Sequence, residues 1–279
     1  MTYLSCWLKW LALGSFVAIA PTSLALAKPA LSPSVSHVAQ TSQANLSQHF
    51  QALDIEGSII IYDSNQNLTH QHNPERNATP FLPASTFKIL NSLIALETGV
   101  IANDLSILTW DGVNRSIPAW NRDHNMRTAF PASTVWFYQV LARRIGHERM
   151  QQWVAAANYG NQTIGGNEAI DTFWLNGDLR ITPQEQIQFL QRLQSNDLPF
   201  SEDTIAIVKD IMIVERTPDY TIRAKTGWAL AGEVGWYVGY VEQSENTYFF
   251  ATNIDIRDQA DLKNRAEVTR RSLETLQLL

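Results

Sequence analysis

The hydrophobic positions along this chain change their spacing twice. Near both ends they form short β-branched runs or alternate with polar positions, which is typical of strands. The predicted strands cover residues 57–63, 68–71, 221–226, 234–242 and 248–254. Predicted helices cover about 131–145, 148–157, 183–193, 203–214 and, at the end, 258–278. This order predicts the α/β (α+β) class, with one antiparallel sheet flanked by helices and a mostly helical subdomain inserted into it.

One further helix is predicted to be apolar on nearly every side. It starts at Ser85 and ends near Gly99. Its apolar residues are Ile89, Leu90, Leu93, Ile94 and Leu96. A helix without a polar face is buried in the core of a domain. Polar side chains in its first turn are therefore expected to lie in the interior.

The first 27 residues have the layout of a secretory signal peptide. They contain one charge, Lys9, then an apolar stretch, and they end in Ala25-Leu26-Ala27. We expect cleavage after Ala27 and not a retained membrane helix, because the run is short for a span and contains Pro21. Residues 28–47 are rich in Ser, Ala, Gln and Pro, which predicts a flexible leader. The predicted location is the periplasm or the exterior, without stable membrane insertion.

Cysteine content and charge narrow the class of protein. The only cysteine, Cys6, lies in the predicted signal, so the domain over 48–279 must be stabilised by core burial alone. The net charge of −6 becomes −7 when Lys9 is removed. This acidity argues against nucleic acid as a partner, since phosphate-binding surfaces concentrate Lys and Arg. An anionic small substrate would need a local cationic site.

The start of the buried helix has the pattern Ser-x-x-Lys. Ser85 and Lys88 are one turn apart, so the amine can reach the hydroxyl. A serine needs a neighbouring base to act as a nucleophile, and a neutral lysine is one candidate. Lowering a lysine pKa from about 10.4 to about 7 costs about 4.6 kcal/mol of desolvation, which a buried helix start could supply. The alternative is a capping serine followed by an ordinary surface lysine.

Two more short motifs follow in a fixed order. Ser133-Thr134-Val135 opens a predicted helix, and Lys225-Thr226-Gly227 ends a predicted strand. Ser133 can pass a proton to a leaving nitrogen, Lys225 and Thr226 can hold a carboxylate, and Gly227 lets a substrate lie along the strand. Each motif alone could be a helix cap or a turn. With Ser-x-x-Lys, in this order, they form the signature of penicillin-recognising serine enzymes.

The chain resembles the class D β-lactamases over nearly the whole predicted mature region. The stretches that fit are 83–88, 110–112, 120–123, 133–135, 159–161, 173–175 and 225–227. Val135 is the distinguishing residue, because related enzymes usually have Asn there. The resemblance implies the serine β-lactamase and penicillin-binding transpeptidase fold, and hydrolysis of β-lactams through an acyl-enzyme on Ser85.

The resemblance also implies how the lysine works. Lys88 is expected to be carbamylated by carbon dioxide, with no other cofactor, and its new carboxylate to act as general base in acylation and deacylation. Phe87 and Val135 would form an apolar wall that keeps the amine neutral. The indole N–H of Trp174 would hold the carbamate, although a core aromatic would have the same pattern. Catalysis is thus assigned to Ser85, Lys88 and Ser133.

Substrate binding is implied for several further residues. The backbone N–H groups of Ser85 and Trp228 are expected to form the oxyanion hole. Arg265 resembles the family arginine that pairs with the substrate carboxylate, and Arg257 and Arg270 are nearby alternatives.

Trp120 and Trp228 could form walls of the cleft. For Tyr159-Gly160-Asn161 we expect a structural role in shaping the loop that carries Trp174.

Other chemistries find less support. The sequence contains no Gly-x-Ser-x-Gly, His70 and His72 lack further ligand spacing, and His147-Glu148 lacks the second His of a zinc helix, so no metal site is predicted. Two functional alternatives remain: a sensor that binds β-lactams and stays acylated, and a D-Ala-D-Ala peptidase. Val135 and Trp174 argue against the peptidase. Repeated turnover would distinguish the hydrolase from the sensor.

Overall fold

The structure, a computed structural model, describes residues 40–42, 45–229 and 234–279. Residues 39–279 form one compact unit. The predicted signal peptide, 1–27, lies outside the described residues, as does most of the predicted leader. Within that leader the backbone of Gln40–Ser42 forms a strand, and the first helix begins at Ser47. No helix within the described ranges combines the length and apolar character needed to cross a membrane.

Seven strands of the described chain form one sheet. They are β1 (Gln40–Ser42), β2 (Gly57–Asp63), β3 (Leu68–His72), β4 (Ile213–Arg216), β5 (Tyr220–Ala229), β6 (Val234–Gln243) and β7 (Thr247–Asp255). Their order is β1-β3-β2-β7-β6-β5-β4. Six strands pair antiparallel, and β1 adds in parallel at one edge. The predicted antiparallel sheet with a helical insertion is confirmed.

Most helices of the described chain lie between β3 and β4, whereas the first precedes β2 and the last follows β7. They are α1 (Ser47–Ala52), α2 (Pro74–Asn77), α3 (Lys88–Glu97), α4 (Met126–Ala129), α5 (Val135–Ile145), α6 (His147–Ala156), α7 (Pro183–Gln194), α8 (Glu202–Ile211) and α9 (Asn264–Thr275). Short 3-10 helices cover Ala84–Phe87, Pro118–Trp120, Asn167–Ala169 and Gln259–Lys263. Helix α7 has a capping box between Thr182 and Glu185, and Pro183 stands at its first position.

Three predicted boundaries are wrong. The helix predicted over 203–214 ends at Ile211, and Ile213 and Val214 belong instead to β4, which the sequence analysis missed. Their apolar character continues the helical spacing, but Ala224 on β5 donates its N–H to the Met212 carbonyl and recruits the segment to the sheet. The closing helix starts as a 3-10 turn, capped by Asp258, and the helix predicted from 131 starts at Val135.

Two hydrophobic clusters cover opposite faces of the sheet. On β2, Ile60 belongs to the larger cluster, whereas Ile59 and Ile61 belong to the smaller one beneath α1 and α9. Helix α3 lies in the larger cluster, and eight of its ten residues are buried. The predicted burial of this helix is confirmed. The polar residues Lys88, Asn91 and Ser92 are fully buried with it, so its first turn faces the interior of the domain.

Candidate active site

The turn that carries Ser85 is strained and held from several sides. Ala84 adopts a left-handed φ of +49°, which costs a non-glycine residue about 1 kcal/mol. Its N–H donates to the Trp174 carbonyl at 2.9 Å, and the Thr86 hydroxyl donates to the Pro83 carbonyl at 2.7 Å. The chain then continues as a 3-10 turn over Ala84–Phe87 before α3 begins. This tight turn presents Ser85 at the edge of the core with 8% of its surface exposed.

Lys88 reaches Ser85 as the sequence predicts. Its Nζ donates to Ser85 Oγ at 2.7 Å, and the lysine has no exposed surface. Burial lowers the pKa of Lys88 from 10.5 to about 7. The reason is that the ammonium loses its hydration without gaining a carboxylate partner, so the uncharged amine is favoured. At neutral pH this lysine can therefore accept a proton.

Aromatic rings surround the base. Phe87 stacks on Trp174 with 5.4 Å between ring centroids, and Phe173 and Tyr159 pack edge-on against Phe87. Trp174 is fully buried, and its Nε1 has no hydrogen-bond partner among the described residues. An unpaired buried N–H costs about 1–3 kcal/mol, so this donor requires a functional explanation.

A wall residue that the sequence analysis missed lies on α5. Lys88 Nζ is 5.4 Å from the ring centroid of Tyr138, which is fully buried and whose hydroxyl pairs with Ser92. Val135, the predicted wall residue, is half-buried at the first position of the same helix. The spacing of three residues between Val135 and Tyr138 puts both on one face of α5 and is the signal that would have identified Tyr138.

A second serine and lysine pair joins two distant segments. Lys225 on β5 donates to Ser133 Oγ at 2.6 Å and to the Thr226 carbonyl at 3.0 Å. Ser133 lies just before α5 with a left-handed φ of +56°. Burial, followed by the positive charges of Lys88 and Arg265, lowers the pKa of Lys225 well below its ordinary value. The two pairs therefore share one electrostatic environment.

Strand β5 lies directly against the nucleophile turn. A Cβ at Gly227 would approach the Pro83 carbonyl oxygen to 3.1 Å and Thr86 Cγ2 to 3.2 Å. Glycine at this position thus lets the strand contact the turn, a reason separate from the predicted space for a substrate. The next residue, Trp228, is half-buried beside this contact, where its backbone N–H was expected to act with that of Ser85.

Of the three candidate arginines, only Arg265 contacts this end of β5. It donates to the Gly227 carbonyl at 2.8 Å, and its Nε is buried without a partner among the described residues. Burial lowers the pKa of Arg265 to about 10. The two alternatives already have carboxylate partners: Arg257 pairs with Asp54 and Asp261, and Arg270 pairs with Glu215. Among these three arginines, Arg265 is the one without a carboxylate partner in the described part of the chain.

The segment Tyr159-Gly160-Asn161 supports the loop that carries Trp174. Gly160 has a φ of +52°, and a Cβ there would lie 2.0 Å from the Arg180 carbonyl oxygen. The Asn161 side chain donates to the Asp178 carbonyl at 2.8 Å and accepts from the Arg180 N–H at 3.0 Å. The expected structural role of this segment is confirmed.

Further polar residues support the nucleophile turn and were missed from the sequence. Gln186 on α7 is fully buried and donates to Thr86 Oγ1 at 2.9 Å. Its signal was a polar residue between the apolar positions of an amphipathic helix. Within the described ranges, no cluster of three or more His, Cys, Asp or Glu side chains is suited to hold a metal ion.

Comparison with known proteins agrees with this geometry. Residues 56–274 match the penicillin binding protein transpeptidase domain family. The chain is 43% identical to beta-lactamase OXA-48 of Klebsiella pneumoniae over 81% of its own length and 85% of the relative. It is 40% identical to a probable beta-lactamase, YbxI, of Bacillus subtilis over 77% and 79% of the two chains. A crystal structure of a class D beta-lactamase from Nostoc superimposes with a TM-score of 0.83 at 60% identity, covering 84% of this chain and 99% of the other. The chain therefore belongs to the class D β-lactamases.

Proposed function

We propose that this serine β-lactamase opens penicillin-type antibiotics with Ser85 as nucleophile and a carbamate on Lys88 as general base. The proposal depends chiefly on one observation. Lys88 Nζ is fully buried 2.7 Å from Ser85 Oγ, and its pKa is lowered to about 7. Because only an uncharged amine reacts with carbon dioxide, this lysine is prepared for carbamylation at neutral pH.

The residues around Lys88 fit such a group. Trp174 supplies a buried indole N–H that has no partner among the described residues and can only donate. The ring of Tyr138 lies near the amine, and Lys88 has no exposed surface, so water is excluded from it. When present, the carbamate supplies an anionic oxygen that accepts a proton from Ser85 and later from the hydrolytic water. Trp174 would hold that oxygen in place.

Ring opening requires a proton at the leaving nitrogen. Ser85 Oγ forms a bond to the β-lactam carbonyl carbon, and the bond from that carbon to the ring nitrogen breaks. Ser133 is the proposed proton carrier, because Lys225 donates to its oxygen at 2.6 Å and leaves the hydroxyl proton available to the nitrogen. Lys225 can then return a proton to Ser133.

Substrate recognition is proposed for the same end of β5. Lys225, Thr226 and Arg265 would bind the carboxylate that penicillins carry, with Gly227 giving the strand room beside the nucleophile turn. The backbone N–H groups of Ser85 and Trp228 would stabilise the oxyanion. The placement of Arg265 on the Gly227 carbonyl supports this assignment.

Export is also proposed. The sequence supports a signal peptide over 1–27, with cleavage after Ala27, and a mature enzyme in the periplasm or outside the cell. Expression of the full-length chain followed by N-terminal sequencing of the secreted protein tests this directly. A mature protein beginning at Lys28 is the expected result, and retention of the full chain in membranes would contradict it.

Steady-state kinetics with a chromogenic cephalosporin and a panel of penicillins tests the reaction. We expect many turnovers per enzyme, and none from Ser85→Ala, which lacks the nucleophile. A single stoichiometric burst without turnover would instead indicate an acylated sensor. Hydrolysis of D-Ala-D-Ala peptides in place of β-lactams would indicate a peptidase.

The carbamate is tested separately. Enzyme exposed to acid and returned to neutral pH in carbon dioxide-free buffer is expected to lose activity and to recover it when bicarbonate is added. Carbon NMR with labelled bicarbonate should show a carbamate signal that is missing in Lys88→Met. A fully active enzyme without bicarbonate and without that signal would contradict the proposed base.

A further inference from the structure

We propose that Trp120 is a positioning residue for Ser133, and that it acts through a hydrogen bond from its indole N–H to the Ala132 carbonyl. The inference rests on the proposed role of Ser133 as proton carrier. Trp120 had been assigned only as a wall of the cleft. In the structure its indole N–H also makes a hydrogen bond, because Trp120 Nε1 donates to the Ala132 carbonyl oxygen at 2.8 Å.

The Ala132 carbonyl belongs to the peptide group that precedes Ser133. The N–H of the same peptide group donates to the Phe130 carbonyl at 3.1 Å, so the plane is held at both edges. Ser133 itself has a φ of +56°, which a serine adopts at a cost of about 1 kcal/mol. Such a conformation persists only when its surroundings enforce it. The Trp120 indole is one of the groups that enforce it.

Trp120 is in turn fixed by the segment that follows Ser133. Trp136 on α5 donates its Nε1 proton to the Trp120 carbonyl at 2.8 Å. The two segments are thus joined by two indole hydrogen bonds that run in opposite directions. Trp136 is 4% exposed, so little of its surface is available to a substrate.

A buried histidine completes the connection. His124 is 1% exposed, and its Nε2 donates to the Ala119 carbonyl at 2.9 Å. The same nitrogen lies 3.4 Å from Thr134 Oγ1, next to Ser133 in the chain. Because a carbonyl only accepts, the ring must carry a proton on Nε2. His124 therefore links the turn before Trp120 to the segment around Ser133.

Positioning matters here because Ser133 must satisfy two partners at once. Its oxygen accepts from Lys225 at 2.6 Å while its proton must point at the leaving nitrogen. A shift of about 1 Å in such a group can cost a large factor in rate. Since the Trp120 N–H is bonded to Ala132, the indole can offer the substrate only its ring. Replacing Trp120 by Phe separates the two roles, because the aromatic face stays and the N–H is lost.

Single-turnover kinetics on the full-length mature enzyme provides the test. Trp120→Phe is expected to slow acylation about fivefold, the value of one hydrogen bond of about 1 kcal/mol, and to leave deacylation unchanged. Ser133→Ala should slow acylation about 100-fold or more. In the double variant the loss from Trp120→Phe should disappear, because Trp120 acts through Ser133. Trp136→Phe should show a smaller loss with the same dependence on Ser133.

Three results would decide against the inference or its premise. An equal loss from Trp120→Phe with and without Ser133 would show that the indole N–H does not act through Ser133. Equal slowing of acylation and deacylation would indicate a general structural defect. If Ser133→Ala itself left acylation intact, the proposed proton carrier would be wrong, a failure distinct from that of Trp120. Trp153→Phe, which alters a tryptophan stacked on Phe200 away from the site, is the matched control.

Discussion

The active site contains two serine and lysine pairs with nearly the same hydrogen bond and different surroundings. Lys88 Nζ donates to Ser85 Oγ at 2.7 Å, and Lys225 Nζ donates to Ser133 Oγ at 2.6 Å. Around Lys88 lie aromatic rings, including that of Tyr138. Lys225 has the Thr226 carbonyl as a second acceptor. Both lysines are buried with lowered pKa values, and the two pairs differ in the groups that face them.

The difference shows that surroundings, rather than the pair itself, assign the chemical role. Lys88 gains no carboxylate partner to offset its desolvation, so it releases its proton near neutral pH. The pKa of Lys225 is also lowered, by burial and by the neighbouring positive charges of Lys88 and Arg265, so this lysine too favours the neutral amine until an anion binds nearby. A substrate carboxylate would cancel the repulsion among these cations and favour the charged form of Lys225.

Removing each serine in turn is expected to give the largest difference in rate between the two pairs. Ser85→Ala is expected to lower turnover by about 10⁴-fold or more, because no other group can form the acyl bond. Ser133→Ala should retain measurable acylation, reduced by about 100-fold or more, since water can still protonate the leaving nitrogen. Mass spectrometry after mixing with penicillin checks the difference: a covalent adduct should form on Ser133→Ala and not on Ser85→Ala. Adduct on Ser85→Ala would show that the nucleophile is another residue.

The first pair could be predicted from the sequence and the second only in part. Ser85 and Lys88 are three residues apart on one helix, so their contact follows from local geometry. Ser133 and Lys225 are 92 residues apart, and their contact depends on how β5 packs against the nucleophile turn. The family resemblance supplied that pair, not the periodicity of the chain.

The features that the sequence could not predict are those without a local periodic pattern. Strand β4 was missed because Ile213 and Val214 continue the helical pattern, and its edge position is determined by β5. The left-handed backbone at Ala84 and Ser133 was also not predicted, since neither residue type favours it. Both residues occur in the catalytic segments, where tertiary hydrogen bonds compensate for local strain.

The free energy of unfolding should also respond differently to replacement of the two lysines. Lys88→Met should raise the free energy of unfolding by about 2–4 kcal/mol at pH 7 in carbon dioxide-free buffer, because it removes a buried amine whose pKa is depressed in the folded state. Lys225→Met should raise the free energy of unfolding by less, since Ser133 and Thr226 would lose their hydrogen-bond donor. Urea denaturation measures both.

The pH dependence of this gain has a definite sign. The folded protein releases the proton of Lys88 near pH 7, whereas the unfolded chain holds it to about 10.5. The destabilisation is therefore complete below pH 7 and fades as the pH rises towards 10.5. The advantage of Lys88→Met should shrink across that range. An advantage that is constant from pH 6 to 10 would contradict the depressed pKa.

Removing the indole N–H of Trp174 is expected to have a smaller effect on the rate. Trp174→Phe keeps an aromatic ring against Phe87 and removes the donor, so we expect deacylation to slow about 30-fold, corresponding to about 2 kcal/mol for a hydrogen bond to a charged group. High bicarbonate should restore part of the loss, because a weakened carbamate is replenished by mass action. Trp153→Phe serves as control. Unchanged deacylation in Trp174→Phe would show that the buried N–H does not hold the base.

The smallest expected effect is a shift of the pH profile. Below pH 7 the ammonium form of Lys88 neither accepts a proton nor reacts with carbon dioxide, so the acylation rate should rise about tenfold per pH unit and level off above about 7. A tenfold increase in dissolved carbon dioxide at each pH should move the midpoint down by at most about one unit, since carbamylation withdraws the neutral amine. Ser133→Ala should retain the same midpoint at a lower rate. A midpoint that followed Ser133 and ignored carbon dioxide would assign the titration to the second pair, because the pKa of Lys225 is also depressed.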